Sequence, residues 1–174
     1  MAERRAVFLD RDGTLMEEVH YCNDPARVRV FPGVAEALTR FRHAGWLVVV
    51  VTNQSGLATG KITTSQYEAV HGELMRQLNG QVDAVYFCAD HPQGPTARRK
   101  PGSGMLFEAA TEHGINLSQS WMIGDKDVDV ACGRGAGCRT ILVRTGYGAA
   151  MADTGADLEV DDVVKASDLI LALR

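Results

Sequence analysis

Short apolar runs alternate with amphipathic stretches along the chain. Ala6 to Leu9, Trp46 to Val51, Val82 to Cys88, Trp121 to Ile123 and Thr140 to Val143 are brief, rich in Val and Ile, and bounded by Gly, Asp or Asn. That pattern predicts buried strands. Between them, Gly33 to His43, Thr64 to Leu78, Gly104 to Glu112 and Asp127 to Arg134 carry helical periodicity, and Val163 to Leu173 predicts a closing helix. Pro32 suits a helix start and Gly114 a helix stop. Strand and helix in alternation predict a mostly parallel, doubly wound α/β sheet with right-handed crossovers and helices on both faces. No repeat, low-complexity tract or linker interrupts the pattern, so one domain over residues 1–174 is expected.

In such sheets a ligand sits beyond the carboxyl ends of the strands. The reactive-looking residues gather there: Asp10, Thr52, Asp125 and the Arg99-Lys100 loop. Asp10 and Asp12 follow the first apolar run two positions apart. A carboxylate at a strand end can attack phosphorus and form an acyl phosphate, splitting one hard displacement into two easier ones. Asp12 can then give a proton to the leaving alkoxide and later take one from water. Gly13 allows a sharp turn that brings backbone N–H groups towards phosphate oxygens. The same string also reads as a solvated Asp-Gly turn. Thr52 suits either a hydroxyl donor to phosphate or a helix cap. Lys100 suits either a point charge for phosphoryl oxygens or a solvated loop residue. Asp125 offers a carboxylate for Mg²⁺, together with Asp10 and the Asp12 backbone carbonyl. Asp127 reads as a helix cap, and Asp129 as a group orienting Lys126 or a metal-bound water.

Composition narrows the class. The chain is 45% hydrophobic and 23% charged with a net charge of −4, and it has no long basic stretch, which disfavours nucleic acid as a partner. The longest apolar run is far too short to span a bilayer, and the four apolar residues before Asp10 cannot form a signal-peptide core. Cys22, Cys88, Cys132 and Cys138 are scattered, without metal or disulfide spacing. Together these features predict a cytoplasmic location.

Asp-x-Asp-Gly-Thr-Leu at Asp10 to Leu15 resembles the first signature of the haloacid dehalogenase superfamily. Thr52, Lys100 and Gly124-Asp125-Lys126-Asp127-Val128-Asp129 follow in that superfamily's order. Within it the chain is most similar to the D-glycero-D-manno-heptose 1,7-bisphosphate 7-phosphatase family, with histidinol-phosphate phosphatases as relatives. Phe8 to Thr14, Val50 to Gly56, His91 to Gly94, Arg99-Lys100-Pro101 and Leu142 to Gly146 carry that similarity. The resemblance implies a Rossmann-like fold and a Mg²⁺-dependent phosphatase with Asp10, Asp12, Thr52 and Lys100 as catalytic residues and Asp10, Asp12 and Asp125 as metal ligands. It implies a pocket for a small phosphorylated sugar lined by Glu18, Val19, His20, Tyr21, Thr52, Asn53, Gln54 and Ser55. Arg99 would grip the non-reacting phosphate and Lys126 would face substrate. A histidinol-phosphate or other small-metabolite phosphatase is the alternative. A catalytically silent phospholigand-binding module is a third reading, opposed by the presence of Asp10, Asp12, Lys100 and Asp125 together.

Asp12 and Thr52 lie 40 positions apart, and Thr52 and Lys100 lie 48 apart. Neither interval holds an inserted cap domain of ordinary size. The pocket walls are therefore expected from Glu17 to Arg29, Ser55 to Ile62 and Ala89 to Lys100, in a protein expected to act as a monomer. One departure stands out. Many members of the family bind a structural zinc through Cys-x-His and then Cys-x-Cys before Arg-Lys-Pro. Here Cys88-Ala89-Asp90-His91 and Thr96-Ala97-Arg98 occupy that stretch, so no structural zinc is expected.

Overall fold

The computed structural model describes residues 4–173; residues 1–3 and 174 of the expected domain lie outside it. Six strands form one sheet: β1 (Ala6–Leu9), β2 (Leu47–Asn53), β3 (Ala84–Cys88), β4 (Trp121–Gly124), β5 (Arg139–Val143) and β6 (Leu158–Val160). Their spatial order is β3-β2-β1-β4-β5-β6, and every pairing is parallel. Five helices connect or close the strands: α1 (Val34–His43), α2 (Thr64–Gln77), α3 (Gly104–His113), α4 (Asp127–Gly135) and α5 (Val163–Ala172).

The two-residue period of β1 feeds two separate cores. Val7 and Leu9 point into a cluster with Leu38 and Phe41 of α1, Val70 and Leu74 of α2, and Ile170 of α5. Ala6 and Phe8 point the other way, onto Met105 and Leu106 of α3 and Cys132 of α4. Alternate strand residues facing opposite layers is what a sheet covered on both sides requires. Each fully buried Leu or Phe in these clusters contributes roughly 1.5–3 kcal/mol.

Helix ends follow local chemistry. Thr63 accepts from the Gln66 N–H at 3.2 Å, and Gln66 Oε1 accepts from the Thr63 N–H at 2.8 Å, a reciprocal cap that starts α2. Gly114 ends α3 in the left-handed region at φ 65°, as its place in the sequence predicts. The helix predicted from Gly33 starts at Val34, because Gly33 itself turns at φ 79° as the cap residue.

Most other element ends fall within a residue of the sequence pattern, while two boundaries differ by two residues and one strand is new. β2 runs on through Thr52 and Asn53, pairing them with Phe87 and Cys88 of β3. β3 starts at Ala84 rather than Val82, because Asp83 Oδ2 turns back to accept from the Val48 N–H at 2.8 Å. β6 is a three-residue edge strand with a half-buried Leu158 and an exposed Glu159, so it leaves no apolar run to read. Among the described residues no cap domain is inserted: the connection from β1 to α1 carries a single 3₁₀ turn, Pro25–Arg27.

Candidate active site

Register aligns Leu9 of β1 with Val50 of β2 and with Ile123 of β4. β1 and β4 therefore end within a residue of each other while β2 runs on through Thr52 and Asn53, and Asp10, Thr52 and Asp125 gather at the carboxyl edge. The loop after β3 adds Lys100. Its ammonium is buried and donates to Asp10 Oδ1 at 2.9 Å, Asp129 Oδ1 at 2.7 Å and the Val51 carbonyl at 2.9 Å. All three donor positions of the ammonium are thus satisfied. Burial alone would lower the Lys100 pKa; Asp10 and Asp129 outweigh it and raise the value. Its two carboxylate partners favour the charged lysine beside the nucleophile candidate.

Asn53 fixes the backbone behind that lysine. Its Nδ2 donates to the Lys100 carbonyl at 3.0 Å, and its Oδ1 accepts from the Lys100 N–H at 3.0 Å. This anchoring role comes in addition to its place on the cavity wall, and nothing in the linear sequence signals it.

Asp125 is clamped between two glycines. A Cβ on Gly13 would come within 2.2 Å of Asp125 Oδ2, and one on Gly146 within 2.3 Å. Thr14 Oγ1 donates to Asp125 Oδ1 at 3.3 Å, and the Tyr147 N–H donates to Oδ2 at 2.9 Å. Thr145 Oγ1 ties the two loops together by donating to the Gly13 carbonyl at 2.7 Å. The Thr145-Gly146 step after β5 therefore builds the Asp125 pocket. Burial, followed by the nearby Asp10 charge, pushes Asp125 up to about 7. The same two causes raise Asp129, against the pull of Lys100. Among the described residues, Asp10, Asp125 and Asp129 form a group whose oxygens lie within 4.8 Å of one another. Three buried carboxylates outnumber the Lys100 and Lys126 ammonium groups whose charge acts on them, and hard oxygen donors short of positive charge suit a divalent cation.

Asp12 belongs to a second network. Arg11 Nε donates to Asp12 Oδ2 at 2.9 Å and its Nη2 to Oδ1 at 3.1 Å. Gln54 Nε2 donates to Asp12 Oδ2 at 3.0 Å and to Thr52 Oγ1 at 2.9 Å, while Gln54 Oε1 accepts from Arg11 Nη2 at 3.2 Å. Arg11 is 2% exposed, and its Nη1 has no hydrogen-bond partner. A buried, forked arginine bound to one carboxylate is a costly arrangement unless that carboxylate must be held in place.

These groups surround a cavity of about 450 Å³. Of the residues expected to touch substrate, Glu18, His20, Tyr21, Asn53, Gln54, Ser55, Arg99 and Lys126 line it. Val19 instead packs against the larger core cluster, and Thr52 lies beneath the wall with its hydroxyl held by Gln54. Glu18 Oε2 stands 3.7 Å from Lys126 Nζ, and that ammonium lies 4.8 Å from the centre of the Tyr147 ring. Arg11, Cys22, Tyr147 and Met151 also line the cavity, and only Arg11 had a sequence signal, its place between the two aspartates.

A doubly wound parallel sheet with a lysine-bound aspartate and an acidic triad at its carboxyl edge defines a haloacid dehalogenase-type hydrolase. The HAD-hydrolase-like family model matches residues 97–168. The chain is 43% identical over 159 residues to the D-glycero-D-manno-heptose-1,7-bisphosphate 7-phosphatase of Thermosynechococcus vestitus, covering 83% of this chain and 81% of that one. It is 35% identical to the D-glycero-beta-D-manno-heptose-1,7-bisphosphate 7-phosphatase of Haemophilus influenzae over 98% of both chains. The crystal structure of D,D-heptose 1,7-bisphosphate phosphatase from B. bronchiseptica, complexed with magnesium and phosphate, matches with a TM-score of 0.90. It is 31% identical and covers 98% of this chain and 99% of that one. The chain belongs to the heptose 1,7-bisphosphate 7-phosphatase family of haloacid dehalogenase-like hydrolases.

Proposed function

We propose that this protein removes the 7-phosphate from D-glycero-D-manno-heptose 1,7-bisphosphate through a phosphorylated Asp10. The observation that carries the reading is the buried Asp10–Lys100 contact at 2.9 Å, set at the wall of a cavity that also holds Asp12 and Arg99. In the first half-reaction an Asp10 carboxylate oxygen bonds to phosphorus as the bond to the sugar oxygen breaks, and Asp12 gives that oxygen its proton. In the second, water attacks the same phosphorus, Asp12 takes the water's proton, and the Asp10 carboxylate returns as phosphate leaves. Lys100 supplies fixed positive charge beside the transferring group, where transition-state charge spreads over the equatorial oxygens.

Asp10, the Asp12 backbone carbonyl and Asp125 would hold Mg²⁺, with Asp129 serving Lys100 through its 2.7 Å contact. When bound, the ion supplies positive charge that offsets repulsion between the carboxylates and an anionic substrate. Support comes from the oxygen-only donor set and the relative crystallised with magnesium and phosphate.

The Asp90 loop is proposed to work without zinc. Asp90 Oδ2 accepts from the Thr96 N–H at 2.7 Å and from Thr96 Oγ1 at 2.6 Å, so one carboxylate spans the loop where a metal would otherwise cross-link it. Arg98 adds a 2.7 Å contact to Glu108 and a 3.1 Å bond to the Phe87 carbonyl. A site built from one chain needs no second copy, which suits a monomer. A cytoplasmic place fits the substrate, a charged sugar phosphate. Comparing kcat/KM on heptose 1,7-bisphosphate and on histidinol phosphate, with the released position identified, tests the substrate. Preference for the heptose bisphosphate with loss of the 7-phosphate is expected; preference for histidinol phosphate overturns it.

A further inference from the structure

Tyr67 stands behind the Asp12 side of the site without lining the cavity. It lies in the first turn of α2, the turn that the reciprocal Thr63–Gln66 cap fixes, and its own N–H donates to the Thr63 carbonyl at 3.0 Å. A helix that crosses back from β2 starts at the carboxyl edge of the sheet, so its first turn lies beside the site. That placement sets the Arg11 guanidinium over the Tyr67 ring, with its central carbon 5.8 Å from the ring centre. Two neighbours hold the buried ring in turn. The His71 ring stacks at 6.0 Å and 15°, and the Phe87 ring of β3 lies 4.7 Å away.

Arg11 has need of such a neighbour. Its Nε and Nη2 are taken by Asp12 and Gln54, while Nη1 is buried with no hydrogen-bond partner among the described residues. A cation stripped of water must be compensated, and the negative face of an aromatic ring does this where no lone pair is offered. Without the ring, the guanidinium gains by turning its open edge towards water, and such a turn breaks the fork that holds Asp12. The ring face therefore acts two steps from the chemistry: Tyr67 backs Arg11, and Arg11 holds Asp12.

We propose that Tyr67 is a positioning residue whose ring face keeps Arg11 in place and so keeps Asp12 aimed at the departing sugar oxygen. The inference rests on the reading of Asp12 as proton donor given above, and adds to it a residue that no motif in the chain marks. Tyr67 stays outside the cavity, so its effect belongs to turnover and not to substrate affinity. The ring carries the role, and the phenol hydroxyl is dispensable.

The test measures phosphate release from heptose 1,7-bisphosphate with Mg²⁺ by the wild type, Tyr67→Phe, Tyr67→Leu, Arg11→Met and the Tyr67→Leu/Arg11→Met double variant, with Asp12→Asn as reference. Tyr67→Leu is expected to lose about fivefold to tenfold in kcat with KM within about twofold, and Tyr67→Phe, which keeps the ring, to recover most of that loss. Adding Tyr67→Leu to Arg11→Met is expected to cost little more, because both act through one path. Pentafluorophenylalanine at position 67 keeps the ring's shape and reverses the charge of its face, so the loss in kcat is expected there too, in a protein whose packing is preserved. That variant decides the matter even where Tyr67→Leu does not fold. Wild-type kcat with the fluorinated ring or in a folded Tyr67→Leu overturns the proposal, and so do losses that simply add in the double variant, which mark Tyr67 as a packing residue. Wild-type turnover by Asp12→Asn overturns the reading of Asp12 on which the inference rests, whatever the Tyr67 variants do.

Discussion

Asn53 grips Lys100 by its backbone: one side-chain amide donates to the Lys100 carbonyl and accepts from the Lys100 N–H, each at 3.0 Å. The last residue of β2 thereby fixes the position from which the lysine reaches Asp10. Asn53→Ala removes both bonds and frees the loop. Unfolding is expected to become easier by about 1–2 kcal/mol, at roughly 1 kcal/mol per net hydrogen bond. The kcat is expected to fall about tenfold or more, because a misplaced catalytic charge costs rate before it costs affinity. Denaturant titration and steady-state kinetics check both halves; unchanged kcat in a destabilised variant contradicts the positioning role.

Arg11 holds Asp12 with two donors while leaving its own Nη1 without a partner. Arg11→Met should leave Asp12 held by Gln54 alone and free to swing. A loss of about tenfold to a hundredfold in kcat is expected, matching one or two charge-assisted hydrogen bonds. Arg11→Lys should restore only part of it, because a point donor cannot reproduce the fork. Full activity in Arg11→Met, measured as phosphate release, would show that Asp12 needs no such hold.

Much of this was legible in the chain. The apolar runs located five of six strands: β1, β2, β4 and β5 are buried along nearly their whole length, and β3, although a half-buried edge strand with Phe87 exposed, still carries an unbroken run from Ala84 to Cys88. The gathering of Asp10, Lys100 and Asp125 at one sheet edge was legible because each sits next to a strand end or in a distinctive string. β6 was not, since its three residues, with the charged Glu159 between Leu158 and Val160, are too few and too mixed for such a run. Neither was the Asn53 anchor, which acts through backbone groups 47 positions away. Val19 was placed with its neighbours in the pocket, yet alternation along the loop turns it to the core while Glu18 and His20 face the cavity.

Mg²⁺ should stabilise the fold as well as support turnover. With Asp125 pushed up to about 7 by burial and by Asp10, the site lacks positive charge, and an ion that binds only the folded state raises its stability by mass action. Saturating Mg²⁺ is expected to raise the Tm of the wild type by several degrees, about what 1–2 kcal/mol gives in a domain of this size. Asp125→Asn should abolish that rise. Thermal melts with Mg²⁺ and with chelator check it, and equal rises in both proteins contradict the ligand assignment.

Asp157 pins the edge of the sheet in a pH-dependent way. Its Oδ2 accepts from the Thr140 N–H at 2.7 Å and from Thr140 Oγ1 at 2.9 Å. Burial works to raise its pKa, but the two Thr140 donors prevail and lower it from the ordinary 3.8. A folded value below the unfolded one gives stability that is present above the unfolded pKa and lost as pH falls through the folded pKa. Asp157→Asn is therefore expected to be less stable than wild type at neutral pH, with the difference shrinking below 3.8. Urea titrations across acid pH check the sign; a difference that grows on acidification contradicts it.

The covalent role of Asp10 is most directly tested by quenching the enzyme in acid during turnover of heptose 1,7-bisphosphate with Mg²⁺, then mapping the phosphorylated peptide by mass spectrometry. The phosphoryl group is expected on Asp10, and Asp10→Asn is expected to fold normally, carry no label and turn over at background. Steady turnover with Asp10 unlabelled, or more than about a tenth of wild-type activity in Asp10→Asn, would contradict the account, since uncatalysed hydrolysis of such esters is too slow to support it.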